Sequence, residues 1–300
     1  MNVRLIGVPM DLGADRRGVD MGPSAIRYAG LRNAIEATGH DCTDSGDLDV
    51  PRPELSSADE TPDGGRAKYL PETAAVCRTL REEVAATIED DAFPLVLGGD
   101  HSIAIGTAGG AAQDDDIGVV WFDAHGDFNT PQTTPSGNVH GMSVAAMLGR
   151  GEFAGSDWAH APTVREENVV MVGIRDLDGE ERDALHDSDA TVFTMSDIDE
   201  QGLTSVVEQA FDIATDGVSG IHVSLDMDFL DPDEAPGVGT PVRGGVTYRE
   251  AHAAMEHVAA RLDDVRSMEV VEVNPILDQH NRTAELAVEL IASGLGKRIF

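Results

Sequence analysis

Lysine is nearly absent: Lys68 and Lys297 are the only two in 300 residues. Lysine and arginine together number 21 against 55 aspartates and glutamates, a formal charge of −34. A chain this short of cations cannot neutralise phosphate groups, which excludes nucleic acid and anionic lipid as partners. It also repels itself in dilute buffer, and molar salt relieves that repulsion by cutting the Debye length to about 3 Å. The surface therefore reads as one adapted to molar salt, with an ordinary acidic protein as the alternative. Two cysteines, Cys42 and Cys77, are too few for a disulfide framework, and their spacing forms no metal knuckle. No run approaches the roughly 20 apolar residues that span a bilayer, and residues 1–9 lack the apolar stretch of a signal peptide. These absences lead to the expectation of a cytoplasmic protein with no membrane partner.

What is present is a recurrent alternation of short apolar runs and helical patterns. Strands are expected at 3–8, 95–98, 118–122, 169–174, 191–194, 221–225 and 267–273, with a weaker one near 41–48. Most are β-branched, apolar on both faces and bounded by Gly, Pro or Asp, the pattern of parallel strands covered on both sides. Pro23 opens a helix that Gly39 follows. Thr247 and Glu250 have capping-box spacing ahead of a helix reaching about Leu262, and a last helix runs from about Thr283 to Ser293. The expected fold is α/β, a three-layer α/β/α sandwich around a mostly parallel eight-stranded sheet. The segment 51–65, acidic and rich in Pro, Ser and Gly, reads as a loop. No other break in composition divides the chain, so residues 1–300 are expected to form a single domain.

Three strand ends carry polar residues that do not suit a core. They are Gly98-Gly99-Asp100-His101, Asp123-Ala124-His125-Gly126-Asp127 and Asp226-Met227-Asp228. In open α/β sheets ligands bind beyond the carboxyl ends of strands. Alternation along an extended strand would project Asp123, His125 and Asp127 to one side, and Asp226 with Asp228 likewise. A lone Asp-x-Asp after a strand usually caps a turn, and a lone histidine after glycines usually packs. All three motifs together point elsewhere. Carboxylates gathered without cations repel and must partly protonate. Oxygen-rich ligation with a few imidazoles suits Mn²⁺, whereas zinc favours His and Cys. A water shared by two such cations is acidified towards hydroxide near neutral pH, which makes metal-assisted hydrolysis the expected reaction class.

On these motifs, together with Gly7-Val8-Pro9 and Gly18-Val19-Asp20-Met21-Gly22-Pro23, the chain resembles the ureohydrolases, the family of arginases and agmatinases, over nearly its whole length. The resemblance implies two Mn²⁺ per subunit. His101, Asp123, Asp127 and Asp226 would hold one ion, and His125, Asp123, Asp226 and Asp228 the other, with Asp123 and Asp226 bridging. It implies that Asp127 steadies the attacking hydroxide, that His140 shuttles the proton to the departing amine, and that Glu272 orients the guanidinium. An acid in the apolar run before Asn274-Pro275 is itself unusual.

The stretch from Asn129 to Gly141 carries the substrate question. Pro131, Pro135 and Gly137 alone would make it a polar turn-rich loop. The resemblance makes it the loop that grips an amino-acid α-carboxylate, through Asn129, Thr134 and Ser136, with Asn138 in the same loop. Asp178 and Glu181 match positions that meet the α-ammonium, and Thr240 matches a further active-site position. The implied reaction is hydrolysis of L-arginine to L-ornithine and urea. Agmatine has no carboxylate, and a site built on such hydrogen bonds can reject it by about 10⁴. A different ureohydrolase substrate, or a non-catalytic cation-binding protein, are the competing readings. The resemblance also implies a homo-oligomer, trimer or hexamer. The tail 297–300 sets two cations beside apolar residues, suited to an acidic neighbour or to fraying.

The charge imbalance generates a direct expectation. Thermal unfolding followed by circular dichroism should move to higher temperature from dilute buffer to molar KCl. Maximal stability at low salt would remove the salt-adaptation reading.

Overall fold

The computed structural model describes residues 1–53 and 66–298. Most of the acidic loop 51–65 and the last two residues of the tail 297–300 lie outside the described residues. Eight strands form one sheet: β1 Asn2–Val8, β2 Asp41–Asp47, β3 Phe93–Gly98, β4 Ile117–Phe122, β5 Val164–Ile174, β6 Thr191–Thr194, β7 Gly220–Asp226 and β8 Val265–Val271. Their order is β2-β1-β3-β8-β7-β4-β5-β6, and every pairing is parallel. The helices are α1 Gly22–Tyr28, α2 Leu31–Glu36, α3 Leu70–Glu89, α4 Ala104–Ala111, α5 Ser143–Met147, α6 Gly179–His186, α7 Met195–Gln201, α8 Leu203–Ala214, α9 Tyr248–Ala260 and α10 Arg282–Gly294. No described helix is long and apolar enough to cross a membrane.

The two sheet faces are sorted by residue parity, as a period of two requires. On β4, Val120 and Phe122 point into a cluster with α1, α2, α8, α9 and α10, while Val119 and Trp121 point into one with α3, α4, α5 and α6. α8 shows why its helix docks where it does. Leu203, Val206, Val207, Ala210, Phe211 and Ala214 are buried, an i, i+3, i+4, i+7 stripe that lies on β4 and β5. α9 begins with the expected capping box between Thr247 and Glu250. The single helix expected between Pro23 and Gly39 is instead two. Gly30 sits at φ 94°, a left-handed conformation that stops α1 and starts α2 in a new direction.

The strand order creates the site. Between β3 and β4 the chain crosses over two positions, and β8 and β7 later fill that gap. The carboxyl ends of β3, β8, β7 and β4 therefore stand side by side at the middle of the sheet, the place where open α/β sheets bind ligands. Gly99, just beyond β3, is pinned there: its N–H donates to Val8 O at 2.8 Å, and Asp100 N–H donates to Met10 O at 2.8 Å. A Cβ on Gly99 would lie 1.9 Å from Met10 O, so backbone would have to move. Gly99→Ala should cost about 1–3 kcal/mol or more, read as a lowered urea midpoint. An unchanged midpoint would show that the β1–β3 contact tolerates displacement.

Candidate metal centre

The motifs after β4 and β7 bend as they leave their strands, and neither is the extended segment expected from the sequence. β4 ends at Phe122, and Asp127 has φ 48°, so Asp123, His125 and Asp127 are gathered by an irregular turn. β7 ends at Asp226, whose carboxylate caps the one-turn helix Met227–Phe229 by accepting from Asp228 N–H at 2.7 Å. β8 ends at Val271, and Glu272 follows at φ 65°. The physical reason is shared: a ligand side chain must turn across the sheet end to meet its partners, and strand alternation would carry it to a face instead.

The turns converge on His101. Its Nδ1 lies 3.0 Å from Asp123, 3.1 Å from Asp226 and 3.2 Å from Asp127, yet it is aligned for a hydrogen bond with no described group. A second set shares Asp123: His125 Nδ1 lies 3.5 Å from its other oxygen and 3.0 Å from Asp228. Ligand atoms of His101, Asp123 and Asp226 all fall within 4.8 Å of one another, as do those of Asp123, His125 and Asp228. Asp123 thus faces both groups. Asp226 turns one oxygen to the backbone and the other to His101. Backbone and neighbours hold the acids in place: Trp121 Nε1 donates to Asp123 at 2.9 Å, His125 N–H to Asp123 at 2.7 Å, and Ala124 N–H and Thr240 Oγ1 donate to Asp228 at 3.1 and 3.0 Å.

The electrostatics state the need for cations. Burial first, then Asp228 and Asp123, push the Asp226 carboxyl well above its usual range, and burial raises Asp228 although His125 works against it. Burial and the Asp123 charge raise Asp127 to about 6. Burial opposes charge on the two histidines, but the acids around them outweigh it and raise both. Without metal the cluster stays together only by holding protons that a ligand set must lose. A buried imidazole nitrogen, unaligned and nearly equidistant from three carboxylate oxygens, fits a cation. The donor set, oxygens with one imidazole per group, fits Mn²⁺ better than zinc.

Above the centre opens a cleft of ≈ 260 Å³ lined by His125, Asp127, Asn129, Thr134, Ser136, His140, Asp176, Asp178, Glu181, Asp226 and Thr240, among others. Asp178 caps α6 by accepting from Glu181 N–H at 3.0 Å and also accepts from Asn129 Nδ2 at 2.7 Å. Glu181 accepts from Phe128 N–H at 2.9 Å, and burial, with Asp127 and Asp178, raises it to about 8. Thr134 Oγ1 accepts from Gly137 N–H at 3.0 Å and Ser136 Oγ from Asn138 N–H at 3.1 Å. An acceptor position of each hydroxyl is taken by backbone, and the two oxygens lie 3.5 Å apart, so one proton can pass between them while the other is left to donate.

Two expected residues lie off this wall. Asn138 spends its amide elsewhere, donating to Ala14 O at 2.9 Å and accepting from Lys68 Nζ at 3.3 Å. Glu272 lies behind His140, accepting from its Nδ1 at 3.0 Å and from His101 N–H at 3.0 Å, while its other oxygen is buried without a hydrogen-bond partner among the described residues. Burial works against charge on His140, but the hydrogen bond and charge of Glu272, with Asp127 and Asp100, raise it to about 9. Trp121 was not legible as a site residue: its ring stacks on His101 at 4.0 Å, but in an apolar strand it reads as core. Its place two residues before Asp123, on the same strand face, is the signal that was there to use.

Comparison with known proteins agrees with this geometry. The Arginase family model matches residues 1–296. The chain is 48% identical to an arginase of Bacillus subtilis over 99% of its length and 98% of that protein. It superposes on a crystal structure of arginase from Bacillus cereus with a TM-score of 0.91, at 48% identity over 100% of both chains. The native arginase structure from Bacillus caldovelox gives a TM-score of 0.92 at 44% identity, covering 100% of this chain and 99% of that one. With its acid-rich centre and its end-to-end match, the chain belongs to the arginase family of hydrolases.

Proposed function

We propose that the protein hydrolyses the guanidinium group of L-arginine to L-ornithine and urea, with two Mn²⁺ held by His101, Asp123, Asp127 and Asp226 and by His125, Asp123, Asp226 and Asp228. The observation that carries this reading is the convergence of two ligand groups sharing Asp123 at the floor of a cleft walled by Asn129, Thr134, Ser136 and Asp178. Bound there, the cations would neutralise the crowded acids and acidify a water for attack on the guanidinium carbon.

The remaining work falls to this chain's side chains. Asp127 stands between His101 and the cleft, where its carboxylate can accept from the attacking water. His140 faces the same cleft and, held protonated by Glu272, delivers a proton to the departing amine nitrogen. Glu272, buried behind His140, acts on the substrate through that imidazole. The hydroxyls of Thr134 and Ser136 and the spare amide proton of Asn129 suit an α-carboxylate. Asp178, with lone pairs beyond its two present bonds, suits an α-ammonium. Glu181, neutral near pH 7, releases its proton more readily when an ammonium arrives beside it.

A substrate panel with added Mn²⁺ tests the assignment. Arginine should be turned over with kcat/KM far above agmatine, and chelation should abolish the activity. Ser136→Ala and Asn129→Ala should each lower kcat/KM for arginine by about 10–100-fold, the loss of one hydrogen bond to a charged group, and leave agmatine little affected. Agmatine turned over better than arginine would overturn the substrate assignment.

A second test concerns His140 in metal-stripped protein. Its imidazole should titrate near 9 by NMR, and Glu272→Gln should bring that value down towards the ordinary 6.5 or so. Because the folded value is raised, this pair stabilises the fold fully below about 6.5, and the contribution fades as pH rises through about 9. A titration unchanged in the variant would separate the two residues. His140→Ala should lower kcat by about 10²–10⁴ if it is the proton donor.

A further inference from the structure

The face of the sheet behind His101 carries a polar line that the chemistry above does not use. Ser224 and His222 on β7 lie in register with Glu269 and Ser267 on β8, all four fully buried. Ser224 Oγ donates to Glu269 Oε1 at 2.8 Å and lies 2.7 Å from His101 Nε2. His222 Nε2 stands 3.3 Å from the same Glu269 oxygen, and its Nδ1 lies 2.8 Å from Ser267 Oγ. A carboxyl group at 0% exposure in a central strand is expensive, and a leucine of similar volume would pack there without that cost.

The donor count fixes the direction of this line. A serine has one hydroxyl proton. Ser224 gives it to Glu269, so towards His101 it can only accept. His101 must then carry a proton on Nε2, and with one proton on its ring Nδ1 is the free lone pair. Nδ1 is the nitrogen set among Asp123, Asp127 and Asp226. The stacking of Trp121 on His101, 4.0 Å and 7° from parallel, fixes the ring plane but cannot distinguish its two nitrogens.

We propose that Glu269 and Ser224 are positioning residues for the metal centre: by accepting, one from the other and then from His101 Nε2–H, they set the tautomer that presents Nδ1 to the cation. His222, braced by Ser267, stands beside the same Glu269 oxygen without a hydrogen bond to it. The inference rests on the metal reading above and specifies which of the two ligand groups the buried line serves. His125 has no such support behind it among the hydrogen bonds described, and its ring faces the cleft. In Glu269→Gln the carboxamide can turn an N–H to Ser224, which reverses the line and places the His101 proton on Nδ1. In Ser224→Ala the Nε2 proton loses its acceptor.

The test titrates Mn²⁺ alone into the metal-stripped full chain, by calorimetry and by electron paramagnetic resonance. Wild type should bind two ions. Ser224→Ala and Glu269→Gln should weaken one of the two by about 10–100-fold, as loss of the group behind a metal-binding histidine does, and leave the other unchanged. Ser224→Thr, which keeps the hydroxyl, should restore it. Ser293→Ala serves as the control. It breaks a buried serine–histidine bond remote from the centre, to His252 at 2.8 Å between α9 and α10, and should alter neither site. Long-range ¹H–¹⁵N spectra of the Zn²⁺-loaded wild type should show the His101 proton on Nε2, a result that needs no variant to fold. Two ions bound equally well in wild type and both variants, or the proton found on Nδ1, would overturn the inference and leave the metal centre standing. A wild type that binds no divalent ion would instead remove the metal reading itself.

Discussion

Like charges confined out of water are the constraint on which this molecule is organised. Asp123, Asp127, Asp226, Asp228 and Glu272 are all nearly inaccessible and lie at neighbouring strand ends. In water such a group would scatter. Here parallel strands cannot part without breaking their ladders, so the repulsion is held and must be answered by protons or cations. Backbone N–H groups of Ala124, His125 and Asp228 aim at the acids and answer part of it. The remainder is a standing demand for positive charge.

That demand explains how the surroundings are built. His101 lies against Trp121 on one side and Ser224 on another, so an imidazole is delivered to the acids with little freedom to rotate away. Asp100, one residue earlier, accepts from Gly13 N–H at 2.8 Å and from Ala14 N–H at 3.2 Å, tying the loop after β1 to the end of β3. Arg175 reaches the backbone oxygens of Asp228 and Val242 from behind, bracing the turn after β7 against the segment that bears Thr240. These contacts cost nothing in reorganisation when a substrate arrives, which is how a site stabilises developing charge.

The cleft wall answers a different requirement. Its donors come from one loop, 129–138, whose own backbone occupies acceptor positions on Thr134 and Ser136, and its acceptors come from the start of α6. The hydroxyls and the Asp178 carboxylate line one cleft, and the two parts meet where Asn129 Nδ2 donates to Asp178 at 2.7 Å.

Much of this was readable from the chain itself. The eight strands, the parallel sheet and the capping box at Thr247 are local in origin, set by apolar period and by hydroxyl–carboxyl spacing a few residues apart. The residue types of the candidate metal centre were legible for the same reason, because each motif packs two or three polar residues into a few positions at a strand end. The geometry of those motifs was not legible: alternation along a strand suggested one face, whereas positive φ at Asp127 and the one-turn helix after Asp226 turn them across the sheet end. Nor could the chain alone pair His140 with Glu272, 132 residues away, or place Glu269 behind His101. Glu269 reads locally as one more acid in an acidic protein. Residue types and short spacings determine which atoms can ligate, accept or donate. Only strand order and register, set by long-range packing of the whole sheet, decide which of those atoms meet.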